Sequence, residues 1–409
     1  MKKRTILIII FLLTGGLVLL GINKGETKQM TYTKSKNADM LSMMLQNEDG
    51  SYEETTRSEW PTEGYTLNTS LSFCENGGTI SWDDAKKIVV MDSDASDKCY
   101  VYFDLGISKN FAEYIKSLYT GVQGENNLYY HYGLKNGAGD CSYRYAGSSE
   151  TTNNFVCFGY DSEDGTCLND NLYRIIGVFN DNVKLIKYDY ETGDLLGMDG
   201  DYLGTINNPA SQSNYKGSLE KMGRYNWNYK AQNVRLSTWS NSLLNKINLN
   251  TAYLNNISKI WSDKIVEFLW RVGGNSGSNI NSVEVSSVYK NEILNPKQEI
   301  SYNAKVGLMY VSDYLYAASP LYWTYKGYDT ETTDYRAAIN NNWMYMGYDE
   351  WMITPLVDSG NLAVVVNSDG SVAFSYTDSS RSLRPAFYLE SSVKVKSGNG
   401  TMSTPYIIE

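Results

Sequence analysis

The longest uninterrupted run of apolar residues lies near the start of the chain. Residues 5–22 carry no charge, and they follow Lys2, Lys3 and Arg4. A helix rises about 1.5 Å per residue, so this run would be about 27 Å long and would just cross a bilayer core of about 30 Å. The basic residues favour a cytoplasmic N-terminus. The pattern therefore predicts a signal anchor over residues 1–23, with the rest of the chain outside the cytoplasm.

Short β-branched and aromatic runs follow a polar stretch. Residues 24–51 are mostly polar and are expected to form a stalk, with a short helix over 38–45. Beyond them, runs such as Ile88–Met91 and Cys99–Phe103 alternate with turn residues, which is typical of strands. We therefore expect a small all-β domain over residues 52–107.

The next segment has a helical pattern and then loses regular periodicity. Ser108 is a candidate N-cap for this helix. The apolar positions with helical spacing are Phe111, Tyr114, Ile115, Leu118 and Tyr119. Residues 122–150 are rich in Gly, Asn, Tyr and Ser, so residues 108–150 are expected to form a helix and a linker.

A larger domain of mixed pattern is expected over residues 151–409. Residues 172–179 and 183–188 flank an Asn-Asp-Asn turn and predict a β-hairpin. Helical spacing recurs from Trp239 and again from Val285, residues 305–311 have a strand pattern, and the chain from Trp351 onward is all β in pattern. This order indicates an α+β domain.

Composition narrows the function. The net charge is −10, with 46 acidic against 36 basic residues, which disfavours nucleic acid as a partner. Tyrosine is abundant, with 35 residues, whereas His131 is the one histidine. A single imidazole in an expected linker offers no Ser-His-Asp or Cys-His set. We therefore assign no catalytic residue, no cofactor and no metal ligand, and expect His131 to be a bystander.

Five cysteines occur at positions 74, 99, 141, 157 and 167. Disulfides are permitted in an exported protein. Cys74 and Cys99 flank a β-rich stretch and Cys157 and Cys167 are close neighbours, so we expect these two pairs and leave Cys141 unpaired. Spacing does not fix the connectivity, and free thiols remain the alternative.

Two acidic clusters resemble parts of a calcium loop. Asp92, Asp94 and Asp97 alternate along the chain, as do Asp199 and Asp201. Oxygen ligands at alternate positions suit Ca²⁺, but both clusters lack the glycine and the closing glutamate of the full loop. We expect solvated acidic turns here.

Four segments carry a family resemblance. Residues 172–179, 305–313, 350–355 and 384–389 resemble a group of uncharacterised surface proteins from low-GC Gram-positive-type bacteria, and residues 60–103 resemble a module that often precedes them. The second half is similar to C-type-lectin-like domains of the formylglycine-generating-enzyme branch. The resemblance implies a twisted antiparallel sheet with two flanking helices, whose chain ends pair near one another.

The resemblance also implies surface recognition. The enzymes of that branch hold copper with a late cysteine pair, and this chain has no cysteine after Cys167. Calcium-dependent lectins use Glu-Pro-Asn or Gln-Pro-Asp and Trp-Asn-Asp tripeptides, none of which occurs here. This chain therefore lacks the residues for copper binding of the first kind and for calcium-dependent sugar binding of the second kind.

An aromatic cluster falls where lectin-like folds have their variable face. The candidate ligand-binding residues are Tyr322, Trp323, Trp343, Tyr345 and Tyr348. Aromatic rings stack on sugars and anchor protein interfaces. We expect Trp323, Tyr345 and Tyr348 to be partly exposed and Trp351 to be buried, with core packing of the cluster as the alternative.

The leading hypothesis is a membrane-anchored surface protein with a non-enzymatic role in recognising a glycan or a protein. One alternative is a structural, envelope-associated protein without a soluble ligand. A less favoured alternative is an extracellular hydrolase that uses two carboxylates. A cleaved signal peptide in place of the anchor would make the same domains secreted, although residues 17–21 form a poor cleavage site.

Removing residues 1–23 should release the protein from the membrane fraction, because residues 5–22 supply the apolar length that a bilayer requires. Expression in a bacterial host, carbonate washing of membranes and immunoblotting would measure this. Replacing residues 5–22 by a different apolar sequence of equal length is the control and should keep the protein in membranes. A truncated protein that resists carbonate extraction would contradict the anchor.

Overall fold

The computed structural model describes residues 31–32, 40–47, 51–55, 65–83, 88–92, 97–105, 109–159, 167–296, 298, 300–328 and 334–409. The chain forms two compact units, residues 1–107 and 108–409, and is of mixed α+β structure as expected. No helix among the described residues has the length and apolar character to span a membrane. The expected anchor, residues 5–22, lies outside the described residues.

The first unit is built around one long strand, Lys98–Leu105. This strand pairs in parallel with Met40–Gln46 and antiparallel with Tyr65–Leu67 and Phe73–Cys74. Tyr52–Thr55 continues the sheet beyond Met40–Gln46. A second sheet of the unit is formed by Thr31–Tyr32, Thr79–Asp83 and Ile88–Asp92.

The helix expected over residues 38–45 is wrong, because Met40–Gln46 is a strand. Leucine and methionine favour a helix locally, but pairing with Lys98–Leu105 satisfies the backbone of this segment along its whole length. Met43 is buried against the small core of the unit. Part of the stretch that was expected to form a stalk therefore lies inside a sheet.

The Cys74–Cys99 disulfide joins two paired strands of this unit, as predicted. Asp97 lies beside it and is buried, and its carboxylate accepts the backbone N–H groups of Asn76 and Gly78 at 2.8 and 3.0 Å. Asp97 is therefore a structural anchor for the turn, not a solvated acid. Asp92 is exposed, and Asp94 lies outside the described residues.

A nine-stranded sheet organises the second unit. Its central hairpin is Leu172–Phe179 and Asn182–Lys187, which confirms the hairpin predicted at the Asn-Asp-Asn turn. The other strands of the sheet are Leu128–Tyr130, Tyr143–Tyr145, Phe155–Cys157, Val306–Gly307, Ala386–Tyr388, Val395–Ser397 and Tyr406–Ile408. Phe155–Cys157 and Tyr406–Ile408 pair in parallel, whereas the remaining neighbours are antiparallel.

Smaller sheets and short helices surround this sheet. The additional strands are Tyr202–Asn207, Lys221–Tyr225, Phe268–Arg271, Ser301–Ala304, Glu350–Pro355, Leu362–Val366 and Val372–Tyr376. The helices are Phe111–Ser117, Gly193–Leu196, Leu244–Tyr253, Leu254–Asn256, Lys259–Ser262, Gly277–Ser282, Val285–Tyr289, Lys290–Leu294 and Val311–Tyr316. Short 3₁₀ turns occur at Glu125–Asn127, Asn169–Asn171, Pro209–Ser211, Trp239–Asn241, Pro320–Tyr322 and Tyr335–Ala338.

Three local predictions need correction. The N-cap of helix Phe111–Ser117 is Asn110 rather than Ser108, because the Asn110 side chain accepts the Glu113 N–H at 3.1 Å. Residues 305–311 are not one strand, since the strand ends at Gly307 and a helix begins at Val311. Residues 122–150, expected to be a linker, contribute two strands to the main sheet.

Strand Leu128–Tyr130 pairs on one side only, with Tyr143–Tyr145, among the described strands. On its other side the Gln123 side chain accepts the Tyr130 N–H and donates to the Tyr130 carbonyl, both at 2.9 Å. One glutamine amide thus occupies both backbone groups of Tyr130 that a neighbouring strand would use.

Loss of the first disulfide should loosen one unit and spare the other. The bridge closes a loop of 25 residues, for which chain entropy predicts about 3 kcal/mol of stabilisation. We expect the double variant Cys74→Ala/Cys99→Ala to speed amide hydrogen exchange in strand Lys98–Leu105 but not in Leu172–Phe179. Cys141→Ala is the matched control, since its thiol is free and exposed. Unchanged exchange in Lys98–Leu105 would contradict the role of the bridge.

Candidate functional site

The predicted aromatic site is largely inside the core. Trp323, Trp343 and Tyr345 have relative exposures of 1%, 1% and 2%, so the exposure expected for Trp323 and Tyr345 is wrong. Their polar atoms are used internally: Trp323 Nε1 donates to the Ala318 carbonyl at 2.8 Å and Trp343 Nε1 to the Tyr145 carbonyl at 2.9 Å. In this conformation these rings have no face available to a ligand.

The two remaining candidates are half-buried and point to different neighbours. Tyr348 donates its hydroxyl to the Pro209 carbonyl at 2.9 Å and packs on Tyr215, whereas Tyr322 packs on Tyr325. The five predicted residues therefore form no common surface. Trp351 is buried, as predicted.

His131 also lies in the core rather than in a linker. Its Nδ1 accepts the Ala138 N–H at 3.0 Å, and its ring packs edge-on against Tyr316 and beside Trp323. Burial lowers the pKa of His131 well below its usual value, and the charge of Arg144 acts in the same direction. The imidazole is therefore neutral near pH 7.

A different place in the second unit has the properties of a binding site. A cleft of about 400 Å³ opens beside the end of the central hairpin. We call it the Arg144 cleft. Its aromatic walls are Phe179, Phe268, Tyr289, Tyr310 and Tyr388, its rim includes Asn180, Leu269 and Ile293, and its polar lining consists of Asp140, Ser142, Arg144, Arg271, Ser312 and Asp313.

Arg144 is the central charge of the cleft and is itself buried. Its Nη2 pairs with Asp140 at 2.7 Å, its Nε donates to the Ser142 hydroxyl at 2.8 Å, and its Nη1 lies 3.8 Å from Asp313. The guanidinium also lies over the rings of Phe179, Tyr289 and Tyr316, with distances of 4.6 to 5.1 Å to the ring centroids. Such contacts fix the orientation of the guanidinium.

Asp140 is held as a carboxylate by its surroundings. Burial acts to raise its pKa, but the charge of Arg144 and hydrogen bonds from Ser142 and Tyr289 outweigh burial and place the pKa well below its usual range. The Tyr289 hydroxyl donates to Asp140 at 2.6 Å. Burial raises the pKa of Tyr289 in turn, so this hydroxyl remains a donor.

Asp313 joins the cleft to the central sheet. Its Oδ2 lies 2.5 Å from Lys184 Nζ, and both side chains are at most 2% exposed. The same oxygen accepts the Tyr310 N–H at 2.9 Å and so caps helix Val311–Tyr316. Burial lowers the pKa of Lys184, and Asp313 counteracts this effect.

Glu292 supports the floor of the cleft from behind. Its carboxylate accepts the N–H groups of Val311 and Ser312 at 3.2 and 3.1 Å, together with the Thr354 hydroxyl. Burial raises the pKa of Glu292. The first turn of helix Val311–Tyr316 is thus held by two buried carboxylates, which keeps Ser312 and Asp313 fixed in the cleft.

The second acidic pair in the sequence has a structural role. Asp201 is buried, and its carboxylate accepts the N–H groups of Tyr229, Lys230 and Leu244 at 2.9 to 3.2 Å. Asp199 is exposed and does not share these donors. Because backbone donors occupy the Asp201 carboxylate, the expectation of a solvated turn is wrong for this residue.

Sequence reasoning missed the Arg144 cleft because its polar residues come from separate segments. Asp140, Ser142 and Arg144 belong to the stretch that was expected to be a linker, and Arg271 and Asp313 follow much later. One signal was present: Ser142 and Arg144 alternate with Tyr143 and so point to one face of a strand.

Comparisons with known proteins find no matching family model, no matching curated protein and no matching solved structure.

The Asp140–Arg144 pair should make stability depend on acidity. The folded-state pKa of Asp140 lies below the unfolded value of about 3.9. The carboxylate thus contributes stability above about pH 4, and this contribution is lost as the pH falls toward the folded-state pKa. Asp140→Asn should lower the free energy of unfolding at pH 7 by about 3 kcal/mol and flatten its dependence between pH 2 and 5.

Urea unfolding across this pH range would measure the effect. Asp181→Asn is the matched control, because Asp181 pairs with Lys116 at the surface, where its side chain is 72% exposed. Surface pairs contribute about 0–1 kcal/mol. If the free energy of unfolding depends on pH equally in the Asp140→Asn variant and in the wild type, the stabilising role assigned to the Asp140–Arg144 pair is contradicted.

Proposed function

We propose that the protein is a membrane-anchored, extracytoplasmic recognition protein that binds carbohydrate in the Arg144 cleft and does not transform it. The observation that carries the proposal is the combination of aromatic walls with polar groups fixed by buried hydrogen bonds. Carbohydrates present apolar ring faces and many hydroxyl groups, so they require both kinds of surface.

The size of the cleft favours a glycan over a protein ligand. A volume of about 400 Å³ lies in the range of small-molecule sites, which are about 300–1,000 Å³. A stable protein interface instead buries about 800 Å² on each partner and is mostly shallow. The cleft suits the end of a short oligosaccharide, and the rings of Phe179 and Phe268 in its lining are half-buried.

The state of the carboxylates favours binding over hydrolysis. A glycosidase requires one carboxyl group with a raised pKa to act as an acid. The pKa of Asp140 is lowered, and Asp313 is paired with Lys184 and Arg144. Neither side chain in the cleft is therefore suited to donate a proton to a glycosidic oxygen.

The proposed location rests on the sequence. Residues 5–22 would form the transmembrane anchor, and the remaining charge disfavours polyanions as partners. The two disulfides, Cys74–Cys99 and Cys157–Cys167, suit an oxidising compartment outside the cytoplasm.

We further propose a C-type-lectin-like fold for the second unit. Support comes from the last strand, Tyr406–Ile408, which pairs with Phe155–Cys157, the first strand of the domain expected over residues 151–409. Helices Phe111–Ser117 and Leu244–Tyr253 pack against strands of the main sheet.

Closing the cleft should weaken carbohydrate binding without altering the fold. Leu269 lies at its rim and is 50% exposed, so Leu269→Trp would fill the opening. We expect this variant of the full chain, in mild detergent, to bind at least about tenfold more weakly to immobilised oligosaccharides that the wild type retains, a loss of about 1.4 kcal/mol.

Leu203→Trp is the matched control, because Leu203 is 53% exposed on a strand that does not line the cleft. The panel should contain neutral hexose and hexosamine oligosaccharides as well as acidic ones. Binding that survives Leu269→Trp would remove the Arg144 cleft from the proposal. A wild type that retains no carbohydrate at all would overturn the proposed function.

A further inference from the structure

We infer that the ligand of the Arg144 cleft is an acidic carbohydrate and that Arg271 binds its acid group. This inference rests on the proposed function, because it names the class of ligand for the same cleft. Its basis is a contrast within the cleft: the other charged groups pair with one another, whereas Arg271 does not.

The other charged groups of the cleft satisfy one another. Asp140 pairs with Arg144 at 2.7 Å, and Asp313 pairs with Lys184 at 2.5 Å and lies 3.8 Å from Arg144. Ser142, Tyr289 and the Tyr310 N–H supply further hydrogen bonds to the two carboxylates. A ligand anion would compete poorly with these short, buried contacts.

Arg271 differs from these groups. It ends strand Phe268–Arg271 and is half-buried, and its guanidinium has no ion pair or hydrogen bond within the described part of the chain. An arginine presents five N–H donors in a planar fork that matches a carboxylate or a phosphate group. A half-buried cation that lacks a protein partner therefore offers a ready contact to a ligand anion.

The backbone of Arg271 is joined to the aromatic wall of the cleft. Its backbone N–H donates to the Tyr310 hydroxyl at 2.8 Å. Burial raises the pKa of Tyr310 well above its usual value, and the nearby charge of Arg271 acts in the opposite direction. Arg271 and the half-buried ring of Phe268 line the same cleft, so one ligand can meet both residues, its ring on Phe268 and its acid group on Arg271.

The net charge of the whole chain restricts which acidic ligands are expected to bind in the cleft. At a net charge of −10 the protein repels long polyanions, whereas a sugar with a single acid group meets one local cation. A carboxylate in place of a hydroxymethyl group on a sugar ring satisfies this requirement. We therefore expect uronic-acid-type ends to be preferred over neutral ends.

A matched ligand pair tests the inference. A uronic-acid-containing disaccharide and its carboxyl-reduced, neutral counterpart differ at one group only. Calorimetry with the full chain in mild detergent should show at least about tenfold tighter binding of the acidic form, because hydrogen bonds to charged groups contribute on that scale. Arg271→Gln should remove this preference, so that the acidic and the neutral disaccharide bind with about equal affinity.

Further variants and conditions separate the effect of the Arg271 charge from a general loss of structure. Arg271→Lys should keep part of the preference, and added salt should reduce it in the wild type. Arg224→Gln is the matched control, since Arg224 is also half-buried on a strand but lies outside the cleft lining. Sodium acetate alone should compete weakly, because it lacks the sugar ring that the aromatic walls contact.

The possible results separate the role of Arg271 from carbohydrate binding itself. Equal or weaker binding of the acidic form, or a preference that persists in Arg271→Gln, would overturn the assignment of Arg271 and leave carbohydrate binding intact. Absence of binding to either disaccharide and to the whole oligosaccharide panel would overturn carbohydrate binding itself, and this inference with it.

Discussion

The buried ion pair between Lys184 and Asp313 is the contact on which the second unit depends. Lys184 belongs to the central hairpin, while Asp313 caps helix Val311–Tyr316 and faces Arg144. Desolvating two charges is costly, and leaving either one alone in the core would cost about 3–5 kcal/mol. The pair therefore ties strand, helix and cleft into one arrangement, because a shift of any one of them would separate the charges.

The abundant aromatic residues make such buried charges tolerable. Lys184 Nζ lies 4.4 to 5.8 Å from the centroids of four rings, those of Phe179, Trp270, Tyr310 and Tyr388. Arg174 is buried as well; its donors go to neutral oxygens, including Asn154 at 2.6 Å, and burial lowers its pKa to about 9. Among the described residues, tyrosines that lie against buried cations include Tyr173, Tyr190, Tyr289, Tyr310, Tyr316 and Tyr388.

Local patterns predicted local structure, and distant partners decided the rest. The hairpin at residues 180–182 and the helix after Asn110 involve neighbours in sequence, so turn chemistry and spacing sufficed, and the two disulfides join cysteines 25 and 10 residues apart. Met40–Gln46 was misassigned because its parallel partner is far along the chain. The aromatic residues around 320–350 were expected outside because their polar neighbours suggested exposure, but the tertiary fold turns Trp323 inward. The Arg144 cleft has no linear signature beyond the alternation of Ser142 and Arg144 around Tyr143, since its charges meet only after folding.

The amide of Gln123 has a consequence for association between molecules. Strand Leu128–Tyr130 would otherwise present free backbone groups, which is how one chain recruits a strand from another. A second copy offering a strand would have to displace two hydrogen bonds of 2.9 Å that are already made within the chain. Strand addition at Tyr130 therefore brings little net gain, and this edge is protected against edge-to-edge polymerisation even where many copies are crowded side by side.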